Sequence, residues 1–260
     1  MADPVLVSSS GGVAEIRFNR PERLNALDME LADGFADAVT RVTADASVKV
    51  VVVSAEGRAF VAGGDLAHFR RSADKAAAAA QLIDPIHAAL KVLARSPQIA
   101  IGSVKGPIAG AGMSLALGFD LLVAADDATF NLAYARVAAS PDCGGSWALP
   151  RLVGYRRALE IALLSETIDA TEALRLGLVN RVVPRAALED ETAKLAARLA
   201  AGPAVAQANI KALMRQSLDR EYAAQLDAES QGFAACASTV DFAEAIDAFF
   251  EKRKPNFAGR

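Results

Sequence analysis

The order of apolar patterns along the chain predicts an α/β fold. Strand and helix signals alternate to about residue 185, and only helical patterns follow. Such alternation favours a sheet layered with helices. Two Gly/Ala-rich turns, Phe60–Leu66 and Gly106–Gly112, each follow a short run rich in Val or Ile. Hydrophobic residues make up 53% of the 260 and charged ones 23%, enough apolar material for a sizeable core.

Taken in order, Val13–Phe18 alternates apolar and polar and reads as a half-buried strand. Asp28 is placed to cap a helix whose Leu31, Phe35, Val39 and Val42 share one face. Val48–Ser54 is a Val-rich run suited to a strand covered on both faces. Asp84-Pro85 reads as an N-cap followed by Pro at the first helical position, opening a helix that carries Ile86, Leu90 and Leu93. Ile99–Val104 predicts another buried strand, followed by the second Gly-rich turn and a helix from about Gly112. Leu121–Ala125 and Val179–Val183 complete the expected strands. From Leu188 onward the pattern is helical, broken at Gly202-Pro203 and near Ser238-Thr239. Its apolar stripes, Leu195 with Leu199 and Ile246 with Phe249 and Phe250, need a partner surface on this chain or on another subunit.

Charge and composition exclude several classes. The formal net charge is −3, and the one dense basic run, Lys252-Arg253-Lys254, lies at the C-terminal end, so no nucleic-acid face is expected. That run is either a solvated tail or a contact for a phosphate-bearing ligand. Two cysteines, Cys143 and Cys236, build no disulfide framework, and two histidines, His68 and His87, give no metal-ligand cluster. The start, Met-Ala-Asp-Pro, has no basic or apolar leader pattern, which makes cytoplasm the expected compartment. The longest uncharged run, Gly106 to Phe119, is shorter than the roughly 20 residues of a membrane span, and no membrane partner is expected.

Three familiar motifs fail. Gly110-Ala-Gly112 lacks the third glycine and the acid of a dinucleotide fingerprint, no Gly-Lys-Ser/Thr follows it, and Gly144–Ala148 is not a nucleophile elbow. What remains is a pair of potential backbone donors. A small-residue turn feeding a helix leaves unpaired N–H groups at the helix start. Ala111 heads such a helix, and Gly64 sits in the other turn between Gly63 and Asp65. Two such N–H groups form an oxyanion hole, each worth roughly 2.7–4 kcal/mol to a transition state that develops negative oxygen. Asp142, in Pro141-Asp-Cys-Gly-Gly-Ser-Trp147, is the carboxylate that would serve beside them as base; its alternative role is to cap the following short helix.

These segments resemble the enoyl-CoA hydratase/isomerase (crotonase) superfamily. The resemblance rests on Asn19-Arg20-Pro21 with Asn25-Ala26-Leu27, Gly57–Leu66, Val104–Gly112, Pro141–Gly145 with Leu149-Pro150-Arg151, Ala173–Val179, and Phe250–Pro255, in the family's order. It implies a crotonase (ClpP/crotonase-like) fold of repeated ββα units. Residues 1–190 would form the core with the active site, and 191–260 a C-terminal helical region for trimer contacts and pocket cover. It further implies a homotrimer, often paired into a hexamer, and an acyl-CoA thioester as ligand. The thioester oxygen would be held by the N–H groups of Gly64 and Ala111, the latter replacing the more usual glycine. Arg23, Leu24, Asp65 and Leu66 fall where the family binds coenzyme A, and Ala62 is expected to bind substrate with them; Tyr134 is expected to orient the acyl chain or donate a proton, its alternative being to fill space. No cofactor or metal is implied, coenzyme A being part of the substrate.

Two departures bear on the reaction. Family hydratases carry glutamates where this chain has Ser114 and Tyr134, whereas Asp142 falls where family isomerases keep an aspartate base. The segment Ser140–Trp147 is most similar to the ring-opening isomerases of phenylacetate degradation. One carboxylate suffices to move a proton between C4 and C2 while an oxyanion hole holds the dienolate. Leu132, Val137 and Trp147 would wall the site. The expectation is an isomerase with Asp142 as acid/base. A hydratase, a coenzyme A dehalogenase with Asp142 as nucleophile, and a non-catalytic RNA-binding or scaffold homologue are the alternatives. His87 is expected in the core or at the pocket rim, and Cys143 as a small buried hydrophobe.

Overall fold

The computed structural model describes residues 3–259. The chain opens with a hairpin, β1 (Val5–Ser10) and β2 (Val13–Phe18), paired antiparallel from Val5 opposite Phe18 to Ser10 opposite Val13. Helix α1 (Met29–Ala44) follows, its first turn closed by Asp28, whose side chain accepts from the Leu31 N–H at 3.0 Å. Next come β3 (Val50–Ala55), α2 (Leu66–Arg71), α3 (Lys75–Arg95), β4 (Ile99–Val104), β5 (Pro107–Ala109) and α4 (Ala111–Leu117). The remainder of the layered part is β6 (Leu121–Ala125), β7 (Thr129–Asn131), α5 (Gly145–Val153), α6 (Tyr155–Leu164), β8 (Ile168–Asp169), α7 (Ala170–Arg175) and β9 (Arg181–Val183). Four helices end the chain: α8 (Leu188–Ala200), α9 (Ala204–Gln216), α10 (Tyr222–Ala237) and α11 (Val240–Glu251).

The main sheet runs β1-β2-β3-β4-β6-β9, parallel beyond the first hairpin, and a small sheet runs β5-β7-β8. The Val-rich β3 lies between β2 and β4 with both faces covered, as its continuous apolar run requires. Val51 and Val53 face the large core shared with α1, α3 and α4, while Val50 and Val52 face a second core under α8. Strand, second strand and helix recur as β1-β2-α1, β4-β5-α4 and β6-β7-α5, the ββα repetition of the crotonase fold. Leu188, Leu195, Ala196 and Ala200 of α8 bury against the sheet, so this helix packs on the layered core across residue 190.

Several boundaries differ from expectation. Asp84-Pro85 does not open a helix. Asp74 caps α3 through the Ala77 N–H at 3.0 Å, and Pro85 sits inside it. An interior Pro costs about 3 kcal/mol. The alanine run at 76–80, made of the best helix former, and the burial of Leu82, Ile86, Ala89 and Leu93 offset that cost. The hairpin partner β1 and the small sheet escaped the sequence pattern. Strands of two or three residues are too short to display alternation. The last strand is only Arg181–Val183, and the helical end has a further break between Gln216 and Tyr222. Leu195 is buried, whereas Phe249 and Phe250 are 78% and 77% exposed.

Candidate active site

The two Gly-rich turns lie side by side. The Phe60 N–H donates to the Lys105 carbonyl at 2.9 Å, and the Ala109 N–H donates to the Val61 carbonyl at 3.0 Å. The backbones approach closely: a Cβ on Gly112 would run into the Val61 carbonyl oxygen. Gly110, at φ 50° and ψ −122°, occupies backbone space that glycine adopts readily and other residues do not.

This packing directs two N–H groups. Leu27 donates to the Gly63 carbonyl at 2.8 Å and accepts from the Asp65 N–H at 2.9 Å. In such a parallel bridge those flanking bonds leave the Gly64 N–H on the side away from Leu27. Ala111 is the first residue of α4, where an N–H has no intrahelical acceptor. Among the described residues neither N–H has a protein acceptor. Both residues line one cavity of about 770 Å³, and Asp142 and Tyr134 line it with them.

Asp142 stands on a tight turn. Cys143 at φ 48° and Gly144 at φ 81° are consecutive left-handed residues, and the strained non-glycine one is held by its surroundings. The Cys143 N–H donates to His87 Nε2 of α3 at 3.1 Å, and the Gly145 N–H to the Asp142 carbonyl at 3.0 Å. Helix α5 is capped by Gly144 without a side-chain bond, so Asp142 does not act as its cap. The Asp142 carboxylate turns instead to Tyr134, whose hydroxyl donates to Oδ1. The Cys143 thiol, a weak donor, is set against the same carboxylate.

Behind this pair lies Ser114 of α4, its Oγ 3.1 Å from the Tyr134 hydroxyl. A phenol has one proton. With that proton on the Asp142 bond, the serine must donate, giving a directed chain from Ser114 to Tyr134 to Asp142. Burial and the neighbouring Asp142 charge push the Tyr134 phenol well above its ordinary value, so it stays a donor. Burial, and secondarily Asp142, likewise raise the Cys143 thiol. A Cβ on Gly145 would run into Ser114 Oγ, which explains the glycine that opens α5.

The rest of the wall is apolar, with Leu27, Phe69, Leu82, Ile83, Ile86 and Val137 lining the cavity. Lys75 is its one cation and Asp142 its one carboxylate among the described residues. Two of the three expected wall residues are elsewhere. Leu132 is buried behind the site, and Trp147 lies outside it, with the Arg151 guanidinium 4.1 Å above its ring. Of the residues expected to hold the ligand, Ala62, Leu66 and Tyr134 line the cavity. Arg23 and Asp65 lie in a separate depression with Arg20, Asp28, Glu30, His68 and Arg71, where Arg20 and Arg23 are already paired with carboxylates. Leu24 lines neither, and its carbonyl accepts the Ala62 N–H at 3.1 Å. Within the basic run at the C-terminal end, Arg253 pairs with Glu244 and Glu251.

Two participants escaped a role in the sequence reading. Ser114 stood out only as the replacement of a family acid, and His87 as a rim histidine. Their partners, Tyr134 and the Cys143 N–H, lie 20 and 56 residues away, beyond any local spacing rule. Asn25 carried no chemical assignment and has a structural one. Left-handed at φ 53° and fully buried, it accepts from the Arg20 N–H at 2.8 Å and donates to the carbonyls of Glu56 and Ala59 at 3.0 Å. Those bonds fix the loop that leads into Leu27.

Comparison with known proteins places the chain in a family. Residues 8–260 match the family described as enoyl-CoA hydratase/isomerase. A 1,2-epoxyphenylacetyl-CoA isomerase of Escherichia coli K12 is 34% identical, with 100% of both chains covered. A crotonyl-CoA hydratase of Syntrophomonas wolfei is 31% identical over 98% of each. The crystal structure of an enoyl-CoA hydratase from Polaromonas superposes with a TM-score of 0.91 at 33% identity, covering 97% of this chain and 99% of that one. An isomerase and a hydratase both stand among these relatives, each matched over nearly the whole chain. This chain belongs to the enoyl-CoA hydratase/isomerase family.

Proposed function

We propose that the protein is an acyl-CoA isomerase that shifts a double bond from the 3 to the 2 position, or opens an epoxyphenylacetyl-CoA ring, through an enolate. The observation that carries this reading is that Asp142 is the one carboxylate lining the cavity among the described residues. The positions at which family hydratases carry glutamates hold Ser114 and Tyr134, whose oxygens bond each other. Addition of water calls for a group to activate the water and another to protonate carbon, and a lone carboxylate suits a proton shuttle better.

In this mechanism the thioester oxygen accepts the N–H groups of Gly64 and Ala111. Asp142 takes a proton from C2 of a 3-enoyl thioester, so a C–H bond breaks and an O–H bond forms. The electron pair delocalises into a dienolate whose negative oxygen the two N–H groups stabilise. Asp142 then returns the proton at C4, leaving the double bond between C2 and C3 and the carboxylate free. Atoms and electrons balance without an oxidant. The apolar wall excludes water from the acyl end. The protein acts as a homotrimer or hexamer in this reading, with the exposed Phe249 and Phe250 available for contacts between copies.

Initial rates with 3-hexenoyl-CoA and crotonyl-CoA test the assignment. Isomerisation at least about tenfold faster than hydration is expected, and the reverse order would make the protein a hydratase.

A further inference from the structure

We propose that Tyr134 is a positioning residue that makes Asp142 a one-oxygen proton carrier, occupying Oδ1 so that Oδ2 alone takes the proton from C2 and returns it to C4. This inference rests on the isomerase reading and goes beyond it by assigning how the proton is kept.

The structure supplies the asymmetry. Oδ1 accepts the Tyr134 hydroxyl, a strong donor, whereas the Cys143 thiol set against the same carboxylate is a weak one. Tyr134 is 8% exposed and Ser114 is fully buried, so the side of the carboxyl group that holds Oδ1 is closed to water. The hydroxyl cannot turn away without cost. Ser114 Oγ lies against it at 3.1 Å, and Ser114 is itself confined by the backbone at Gly145.

One hydrogen bond serves both halves of the transfer. When Asp142 is a carboxylate, Oδ1 accepts from Tyr134 as a charged oxygen. When Oδ2 carries the substrate proton, Oδ1 is the carbonyl oxygen of the acid and still accepts from the same hydroxyl. The group therefore need not rotate, and the proton need not pass to the second oxygen, between leaving C2 and reaching C4. The turn bearing Asp142 is tied from its other side by the Cys143 N–H to His87 Nε2 at 3.1 Å, which fixes the backbone under the carboxylate. Without Tyr134, Oδ1 becomes free to take or lose a proton through water, and substrate hydrogen exchanges with solvent in transit.

The test is isotopic. 3-Hexenoyl-CoA carrying deuterium at both C2 positions is turned over in ordinary water, and deuterium at C4 of the 2-enoyl product is measured by NMR and mass spectrometry. The wild type should transfer a measurable fraction of its label to C4. Tyr134→Phe should transfer at least about threefold less, with kcat lowered roughly tenfold and KM little changed. Loss of packing alone would lower the rate and leave the transferred fraction where it was. If Tyr134→Phe does not fold, Ser114→Ala is read instead, and a smaller loss of transfer in the same direction is expected. Equal transfer in variant and wild type, or no transfer in an active wild type, overturns the positioning role while leaving the isomerase standing. A wild type that does not isomerise overturns both.

Discussion

The hydroxyl of Tyr134 donates to Oδ1 of Asp142 across eight residues of chain, joining the short 3-10 turn at Tyr134–Val137 to the left-handed turn that begins helix α5. The contact is nearly dry, with Tyr134 8% and the adjacent Cys143 1% exposed. Both residues are consequently favoured in their neutral forms, and this has an effect on stability at alkaline pH.

Ordinary values of 10.0 for Tyr134 and 9.0 for Cys143 apply to the unfolded chain, and the folded state raises both. The stabilisation is fully present below the unfolded values and is lost as pH rises toward the native ones. In that window the unfolded chain binds fewer protons than the folded one, so stability falls by about 1.4 kcal/mol per pH unit for each group. Urea denaturation from about pH 8 to about pH 11 should show Tyr134→Phe declining less steeply than wild type above about pH 10. Equal slopes would mean that the phenol is not held neutral.

Ala111 gives a test of the oxyanion hole that spares the fold. Proline is accepted at the first position of a helix, where the N–H has no intrahelical acceptor. Ala111→Pro therefore removes one donor at little cost to the helix, and sets its ring Cδ where the N–H faced the cavity. A fall of kcat by about 10²–10³ with an unchanged melting temperature is expected. An unchanged kcat would remove Ala111 from the hole.

Much of this site was legible before folding because its pieces are local. The turns around Gly64 and Ala111 declare themselves by small residues after apolar runs, and Asp142 by its place in Pro141-Asp-Cys-Gly-Gly and the resemblance that segment carries. The main sheet was legible where strands carry long apolar runs, as at Val50–Ala55 and Ile99–Val104, and not at β1, whose second half is three serines. What escaped was contact between distant segments. Nothing at Ser114 announces Tyr134, and nothing at His87 announces the Cys143 backbone. Trp147 went the other way: its aromatic bulk suggested a pocket wall, yet α5 turns it outward to stack under Arg151. The Asp84-Pro85 pair was a valid capping signal outvoted by the eight strong helix formers at Lys75–Leu82 upstream.

Lys211 offers a separate test of how the helical end is fastened. Its buried ammonium donates to the carbonyls of Leu93 and Gln98 at 2.8 and 2.6 Å and pairs with Asp120 at 3.0 Å. Burial pulls its pKa down, which the Asp120 charge opposes. Lys211→Met strands two carbonyls, while Asp120 keeps Arg215 at 3.0 Å. Removing one partner of a buried pair costs about 3–5 kcal/mol, and the surviving Arg215 contact places the loss near the lower figure. Urea denaturation measures it, and a loss under about 1 kcal/mol would show that α9 is held by other contacts.

The central claim is that Asp142 carries the proton of a double-bond shift, and a proton NMR time course on 3-hexenoyl-CoA in D2O, wild type beside Asp142→Asn, tests it most directly. General acid–base catalysis contributes about 10²–10⁴ in rate. The account predicts conversion to the 2-enoyl isomer by wild type, and turnover lower by that factor in a variant that folds and binds coenzyme A normally. Equal conversion by both proteins, or a wild type that only hydrates crotonyl-CoA, would contradict it.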